Sequence, residues 1–269
     1  MYLKNDEIIN NDAEEVSGIN TNGKSIYEVI RIIDGVPLFF EEHFLRLENS
    51  LKIVGLKNYY SEDEIKEKIT LLIEKSKNYT GNIKIVINYI KEKHDLYIFF
   101  IGHYYPKKEE YLKGVKTILY FGERDNPNAK VIASSFREAV TKKIKDSHAF
   151  EAILVDRDGN VTEGSKSNMF FVKDDAVYTS PVKAVLPGIT RSKILEVCKK
   201  YNIKVIEEKI PYKTLKDMDG IFISGTSPKV LPVSYVENYK FDSGINNIIK
   251  ILMKGYDDFV NENVNSRKK

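Results

Sequence analysis

The chain has almost no cysteine: Cys198 is the single one among 269 residues. One thiol makes no internal disulfide, and its neighbours Ile194, Leu195 and Tyr201 mark it as a small buried hydrophobe. Arginine is scarce too, with seven (31, 46, 124, 137, 157, 191 and 267) beside 35 lysines. Lysine at that density covers a solvated surface, so each arginine is the more informative residue. Charge of one sign is also lacking. Lys+Arg of 42 against Asp+Glu of 39 leaves +3, with both signs interspersed and no stripe for a nucleic acid. No apolar run nears the roughly 18 residues of a membrane span. The opening Met1-Tyr2-Leu3-Lys4-Asn5-Asp6 lacks a signal peptide's apolar region. The expectation is therefore a cytoplasmic protein with no membrane partner. There is no Gly-x-Gly-x-x-Gly after a strand and no Gly-x-x-x-x-Gly-Lys-Ser/Thr, which disfavours Rossmann and P-loop nucleotide sites. His43, His94, His103 and His148 are scattered, so no metal site is expected.

What is present is an ordinary globular composition, 42% hydrophobic and 30% charged, in a length that suits one large or two modest domains. Residues 26–33 and 37–40 are β-rich and flank Asp34-Gly35, a hairpin signal. Residues 42–54 carry helical periodicity and stop at Gly55. Ser61 with Glu64 forms a capping box ahead of a second helix. Stretches 84–90, 96–101 and 115–121 read as strands, so residues 1–121 form a small α+β unit. Residues 122–129, centred on Asp125-Asn126-Pro127-Asn128, read as a linker. Residues 130–269 make a larger unit with a helix over 136–145 and strands at 149–156, 169–172, 176–179, 204–207, 221–224 and 230–235. Thr190 is placed to cap a helix, and Ile245, Ile248, Ile249, Leu252, Met253 and Tyr256 mark a closing one. The polar tail 261–269 is expected to fray.

Four local features draw attention, each with a plain alternative. Leu186-Pro187-Gly188-Ile189-Thr190 leads into a helix start, where free N–H groups and the dipole favour an anion, but Pro-Gly is also a common turn. Gly225-Thr226-Ser227-Pro228 follows an apolar strand, as ligand loops of open sheets do, and is also ordinary loop chemistry. Glu163 stands in Val161-Thr162-Glu163-Gly164-Ser165 beside a strand, or is simply solvated. Arg46 falls among Phe44, Leu45 and Leu47, or pairs with Glu42 one turn back.

Several motifs occur together in one order. They are Tyr27-Glu28-Val29, Glu42-His43-Phe44-Leu45-Arg46-Leu47, Asn128-Ala129-Lys130, Glu151-Ala152-Ile153-Leu154, Val161-Thr162-Glu163-Gly164-Ser165, Leu186-Pro187-Gly188-Ile189-Thr190-Arg191 and Gly225-Thr226-Ser227. Over about residues 20–235 the chain resembles the class IV aminotransferases, the fold type IV pyridoxal-phosphate enzymes that include branched-chain aminotransferases, D-amino-acid transaminases and aminodeoxychorismate lyases. The resemblance implies a mixed α/β (α+β) protein of two domains with pyridoxal 5'-phosphate between them, usually as a homodimer. It places the catalytic lysine a nearly fixed stretch ahead of the Glu-Ala-Ile-Leu strand. Counting back picks Lys130, 22 residues before Ala152, to hold the cofactor as a Schiff base and carry a proton.

The resemblance further implies that Glu163 faces the pyridine nitrogen and that the phosphate is held by Arg46, by Ile189 and Thr190, and by Thr226. Tyr27 and Ser227 lie on the substrate side, although Tyr27 equally suits a packed strand. The implied partners are a small amino acid and a 2-oxo acid. The favoured reaction is transamination of a branched-chain-like L-amino acid. The alternatives are aminodeoxychorismate lyase, releasing pyruvate and 4-aminobenzoate, and a non-catalytic cofactor-binding paralogue. Three departures stand out. Ala133 replaces a frequent asparagine, and Asn88-Tyr89-Ile90 replaces an Arg-Gly, which disfavours the carboxylate trap of D-amino-acid enzymes. Thr21-Asn22-Gly23-Lys24-Ser25 replaces a Gly-Asp-Gly.

Overall fold

A computed structural model describes residues 1–10, 23–132 and 134–268. Two of the departures, at Thr21-Asn22 and at Ala133, lie outside the described residues. The chain divides into two compact units, one made of Met1–Tyr104, Ala129–Ile132 and Val260–Lys269, the other of Tyr105–Asn128 and Ala133–Phe259.

The first unit runs β1 (Tyr2–Lys4), β2 (Glu7–Ile9), β3 (Lys24–Ile33), β4 (Val36–Pro37), α1 (Phe40–Ile53), α2 (Glu62–Ser76), β5 (Gly81–Ile90) and β6 (Lys93–Ile101). The strands form an antiparallel sheet in the order β2-β1-β6-β5-β3-β4. Side chains alternate across a strand, so Ile26, Ile30 and Ile32 share one face, with Ile83, Ile85 and Ile87 of β5 and Leu96 and Ile98 of β6. Phe40, Phe44, Leu47 and Leu51 of α1 and Ile65, Ile69, Leu72 and Ile73 of α2 complete that core. Glu28 has the same parity as these isoleucines, so it too faces α1. The opposite face carries a smaller cluster of Tyr27, Val86 and Phe99. The expected local signals are present. Asp34 and Gly35 turn with φ of 50° and 81°, the mirror-image geometry a two-residue hairpin wants. Ser61 and Glu64 close a capping box on α2.

The second unit holds α3 (Lys108–Lys113), β7 (Val115–Phe121), α4 (Ser134–Asp146), β8 (Glu151–Val155), β9 (Asn160–Gly164), β10 (Asn168–Lys173), β11 (Ala176–Thr179), α5 (Ile189–Lys200), β12 (Val205–Glu207), β13 (Ile210–Pro211), β14 (Gly220–Gly225), β15 (Lys229–Val236), β16 (Tyr239–Lys240) and the first part of α6 (Asn247–Arg267). Its sheet runs β12-β11-β10-β14-β15-β7-β8-β9-β13, with β16 on β15. The strand at 115–121 belongs here, whereas the sequence pattern had grouped it with residues 1–121. It pairs in parallel with both β8 and β15, and such pairing joins segments distant in sequence. Residues 122–129 are likewise not a simple linker. Gly122 N–H donates to the Val155 carbonyl (2.9 Å), and Asn128 Nδ2 donates to the carbonyls of Val182 (2.8 Å) and Val185 (2.7 Å).

The tail expected to fray is helical as far as Arg267. This end of α6 has Val260 and Val264 buried, Asn263 Oδ1 accepting from Phe39 N–H (3.2 Å) and Arg267 paired with Glu41. Among the described residues no helix is long and apolar enough to cross a membrane.

Candidate active site

In the first unit Lys130 sits on a short extended run beside β3, bridged at Ile26 and Val131. Tyr27 N–H donates to the Lys130 carbonyl (3.0 Å), Ile132 N–H to the Ser25 carbonyl (3.1 Å), and Lys130 N–H to Ser50 Oγ (3.2 Å). The Lys130 Nζ stands 4.9 Å from the centroid of the Tyr27 ring, and Lys84 Nζ stands 5.2 Å from the same centroid. Tyr27 is the buried strand residue its sequence allowed, and its ring has two ammonium groups beside it.

Arg46 is brought to the same region by α1, but in a buried ion pair. Its Nε donates to Glu28 Oε1 (2.8 Å) and its Nη2 to Glu28 Oε2 (2.7 Å). Glu28, rather than the Glu42 considered from spacing, is the carboxylate that grips it. His43 Nδ1 lies 2.8 Å from Glu28 Oε2 and donates its proton there. Burial works against the charge on Glu28, yet the Arg46 guanidinium and the hydrogen bonds from Arg46 and His43 hold its carboxyl far below the usual range. Burial pushes the His43 imidazole down, and the charges of Arg46 and Lys130 add to this against the opposing pull of Glu28. Glu28 and His43 stood inside the quoted motifs without a role. The parity of β3 and the i, i+3 spacing of His43 and Arg46 were the signals that pair them.

In the second unit Glu163, the penultimate residue of β9, is almost fully buried, with both oxygens occupied. Oε1 accepts from Arg124 Nη1 (2.9 Å) and Oε2 from the Leu186 N–H (2.9 Å). Arg124 was missed, and its only signal was being one of few arginines. Behind Glu163 the buried Glu151 gathers the turn at 164–167. It accepts from Ser165 N–H (3.1 Å) and Oγ (2.5 Å), Lys166 N–H (3.2 Å), Ser167 Oγ (2.9 Å) and Ala152 N–H (2.9 Å). The two serines therefore order the loop. Gly164 is required there, since a Cβ would stand 2.1 Å from Ser167 Oγ.

Asn168 Nδ2 donates to the Leu186 carbonyl (2.9 Å), and across β10 and β14 Asn168 is the register partner of Ser224, two residues before Thr226. This joins Glu163, the 186–190 segment and the Thr226-Ser227 turn. A Cβ on Gly188 would meet Asn168 Oδ1 at 2.1 Å. Gly188, not Thr190, is the N-cap of α5, because Pro187-Gly188 lets the helix begin at Ile189. Thr190 lies in the first turn with its hydroxyl 3.4 Å from Tyr256 Oη. No side chain caps this helix and no acid sits in its first turn. A helix start left in that state fits a phosphate, and a carboxylate aimed by two donors fits a protonated ring nitrogen, so the residues present suit a phosphopyridine.

The family model described as amino-transferase class IV matches residues 25–236. The chain belongs to the class IV aminotransferases. This is a family of pyridoxal-phosphate enzymes, and the mixed α/β architecture with its two sheets is that of fold type IV. Among relatives, a D-alanine aminotransferase from Bacillus licheniformis is 31% identical over 236 residues, 82% of each chain. Among solved structures, a branched-chain amino acid aminotransferase of Escherichia coli superposes with TM-score 0.84 at 24% identity, covering 96% of this chain and 94% of its own. A Legionella pneumophila protein described as a 4-amino-4-deoxychorismate lyase superposes with TM-score 0.79 at 22% identity, over 94% and 95%. These structural likenesses establish the fold of this class IV aminotransferase chain.

Proposed function

We propose that this protein binds pyridoxal 5'-phosphate covalently through Lys130 and exchanges an amino group between a branched-chain-like L-amino acid and a 2-oxo acid. The observation that carries the reading is Lys130 itself. Its main chain is fixed at both the N–H and the carbonyl, and its amine rests at the Tyr27 ring. When bound, the cofactor supplies an electron sink for the bond-breaking step. Lys130 carries the proton to and from the substrate α-carbon. Glu163, steadied by Arg124 and Leu186, holds a proton on the ring nitrogen. The N–H groups of Ile189 and Thr190, the hydroxyl of Thr226 and the charge of Arg46 serve the phosphate, while Tyr27 and Ser227 border the substrate.

Preference for the L-enantiomer is supported by the β5–β6 hairpin. Only Lys91 and Glu92 separate its strands, Tyr89 Oη donates to the Lys57 carbonyl (2.8 Å), and His94 stacks on Tyr59 (4.1 Å). None of these is an arginine placed to trap a carboxylate. The 31% identical relative favours a second reading, D-alanine as donor. The deciding experiment offers the holoprotein L-leucine, L-glutamate and D-alanine in turn. The expected result is that an L-amino acid bleaches the visible absorbance and a 2-oxo acid restores it. Bleaching by D-alanine alone would establish the second reading. Bleaching by no amino acid, with pyruvate and 4-aminobenzoate formed from aminodeoxychorismate, would make the protein a lyase. No reaction at all despite bound cofactor would make it a non-catalytic paralogue.

A further inference from the structure

Ser50, the acceptor that fixes the Lys130 N–H, is fully buried and makes two side-chain hydrogen bonds. Its Oγ donates to the Arg46 carbonyl one turn back on α1 (2.8 Å) and accepts the Lys130 N–H (3.2 Å). The Lys130 N–H can only donate, and the hydroxyl, whose one proton goes to the Arg46 carbonyl, serves it as acceptor. His43, Arg46, Leu47 and Ser50 form one stripe of α1 at helical spacing. The first two grip Glu28 of β3, and the last reaches the segment that runs beside β3. The same helix that clamps Glu28 thus sets the height of the Lys130 main chain, while Tyr27 holds its carbonyl. A lysine stem has four flexible carbons, so its amine is placed only as well as its Cα is. A second ammonium, Lys84, already stands at the same ring.

We infer that Ser50 is a positioning residue for Lys130, acting through the main-chain N–H to present that amine, and not a neighbouring one, to the cofactor aldehyde. The inference rests on the assignment of Lys130 above. A displacement of about 1 Å at a reacting group can cost about a hundredfold in rate. Removing the acceptor also leaves a buried N–H unmet.

The test mixes full-length apoprotein of the wild type, Ser50→Ala and Ser50→Thr with pyridoxal 5'-phosphate and follows the growth of the visible band. Borohydride reduction and peptide mass analysis then identify the modified lysine. The wild type and Ser50→Thr should label Lys130 at like rates. Ser50→Ala, with unchanged circular dichroism, should form the band about tenfold slower or more and divide the label between Lys130 and other lysines, Lys84 first. Sole labelling of Lys130 at the wild-type rate in Ser50→Ala overturns the inference. Should Ser50→Ala not fold, Ser50→Cys takes its place, because the thiol fills the site but accepts weakly; a wild-type rate there is equally fatal. Labelling of a different lysine in the wild type would instead overturn the Lys130 assignment itself.

Discussion

At the scale of single residues, the most consequential contact is the one between Glu163 and Arg124. In the role proposed for Glu163, a carboxylate that keeps a ring nitrogen protonated needs its charge and its direction, and the two donors on Glu163 supply the direction. Glu163→Gln keeps the shape and removes the charge. Cofactor should still bind, while turnover falls by orders of magnitude; turnover near that of the wild type would make Glu163 structural only. Arg124→Gln removes a charge-assisted hydrogen bond worth about 1.5–3 kcal/mol, so turnover should drop about tenfold to a hundredfold with the fold intact. For Arg46 the choice of substitution decides what can be read. Arg46→Ala strands the buried Glu28 and should cost about 3–5 kcal/mol of stability, which would mask any loss of cofactor affinity. Arg46→Lys keeps the charge and gives up the bidentate grip, so it is the variant in which phosphate affinity can be read. Glu163 was singled out because it stands in a specific motif. Arg124 was not, because its partner lies 39 residues away on a strand whose position depends on the whole sheet.

At the scale of elements, what was legible is what local chemistry decides. The Ser61 capping box, the Asp34-Gly35 hairpin and the Gly55 stop depend on a few adjacent residues. β7 was misgrouped because its parallel neighbours come from residues 151–155 and 233–236, and nothing in 115–121 names them. Thr190 was taken for a cap because threonine suits that position, while Pro187-Gly188 starts the helix earlier without one. The tail was misjudged by its polarity. Tyr256, Val260 and Val264 recur every four residues, so a narrow apolar stripe continues through Asn261, Glu262 and Asn263. That stripe should be measurable. Val264→Ala removes two buried methyl groups and should cost about 1–2 kcal/mol, lowering the thermal midpoint by a few degrees. An unchanged midpoint would mean that the last turns of α6 contribute nothing to stability.

At the scale of the whole molecule, the buried titrating groups set a pH window for stability. Glu28 has its carboxyl held far below the unfolded value of about 4.3, so its contribution is complete above that pH and is lost as pH falls toward the folded value. His43 is also lowered, from about 6.5 in the unfolded chain, so the folded state resists taking up its proton. Its contribution is whole above about 6.5 and is lost as pH falls below that. The alkaline side has the opposite sign. Burial raises Cys198, Tyr60 and Tyr89 to about 12 each, while their unfolded values lie near 8.5 for the thiol and 10 for the phenols. Their contributions are complete below those unfolded values and are lost as pH rises toward 12. The urea midpoint should therefore be flat from about pH 7 to about 8.5, decline gently below 7 and steeply below about 4.5, and decline again above about 9. Two variants separate the limbs. His43→Gln should remove the gentle decline between about pH 7 and 5 while leaving the steep limb of Glu28 in place. Cys198→Ala should move the alkaline onset from about 9 to about 10, where the tyrosines begin to titrate. If His43→Gln leaves the decline between pH 7 and 5 unaltered, the histidine is not the group that limits stability there, and the neutral buried imidazole beside Glu28 is wrong.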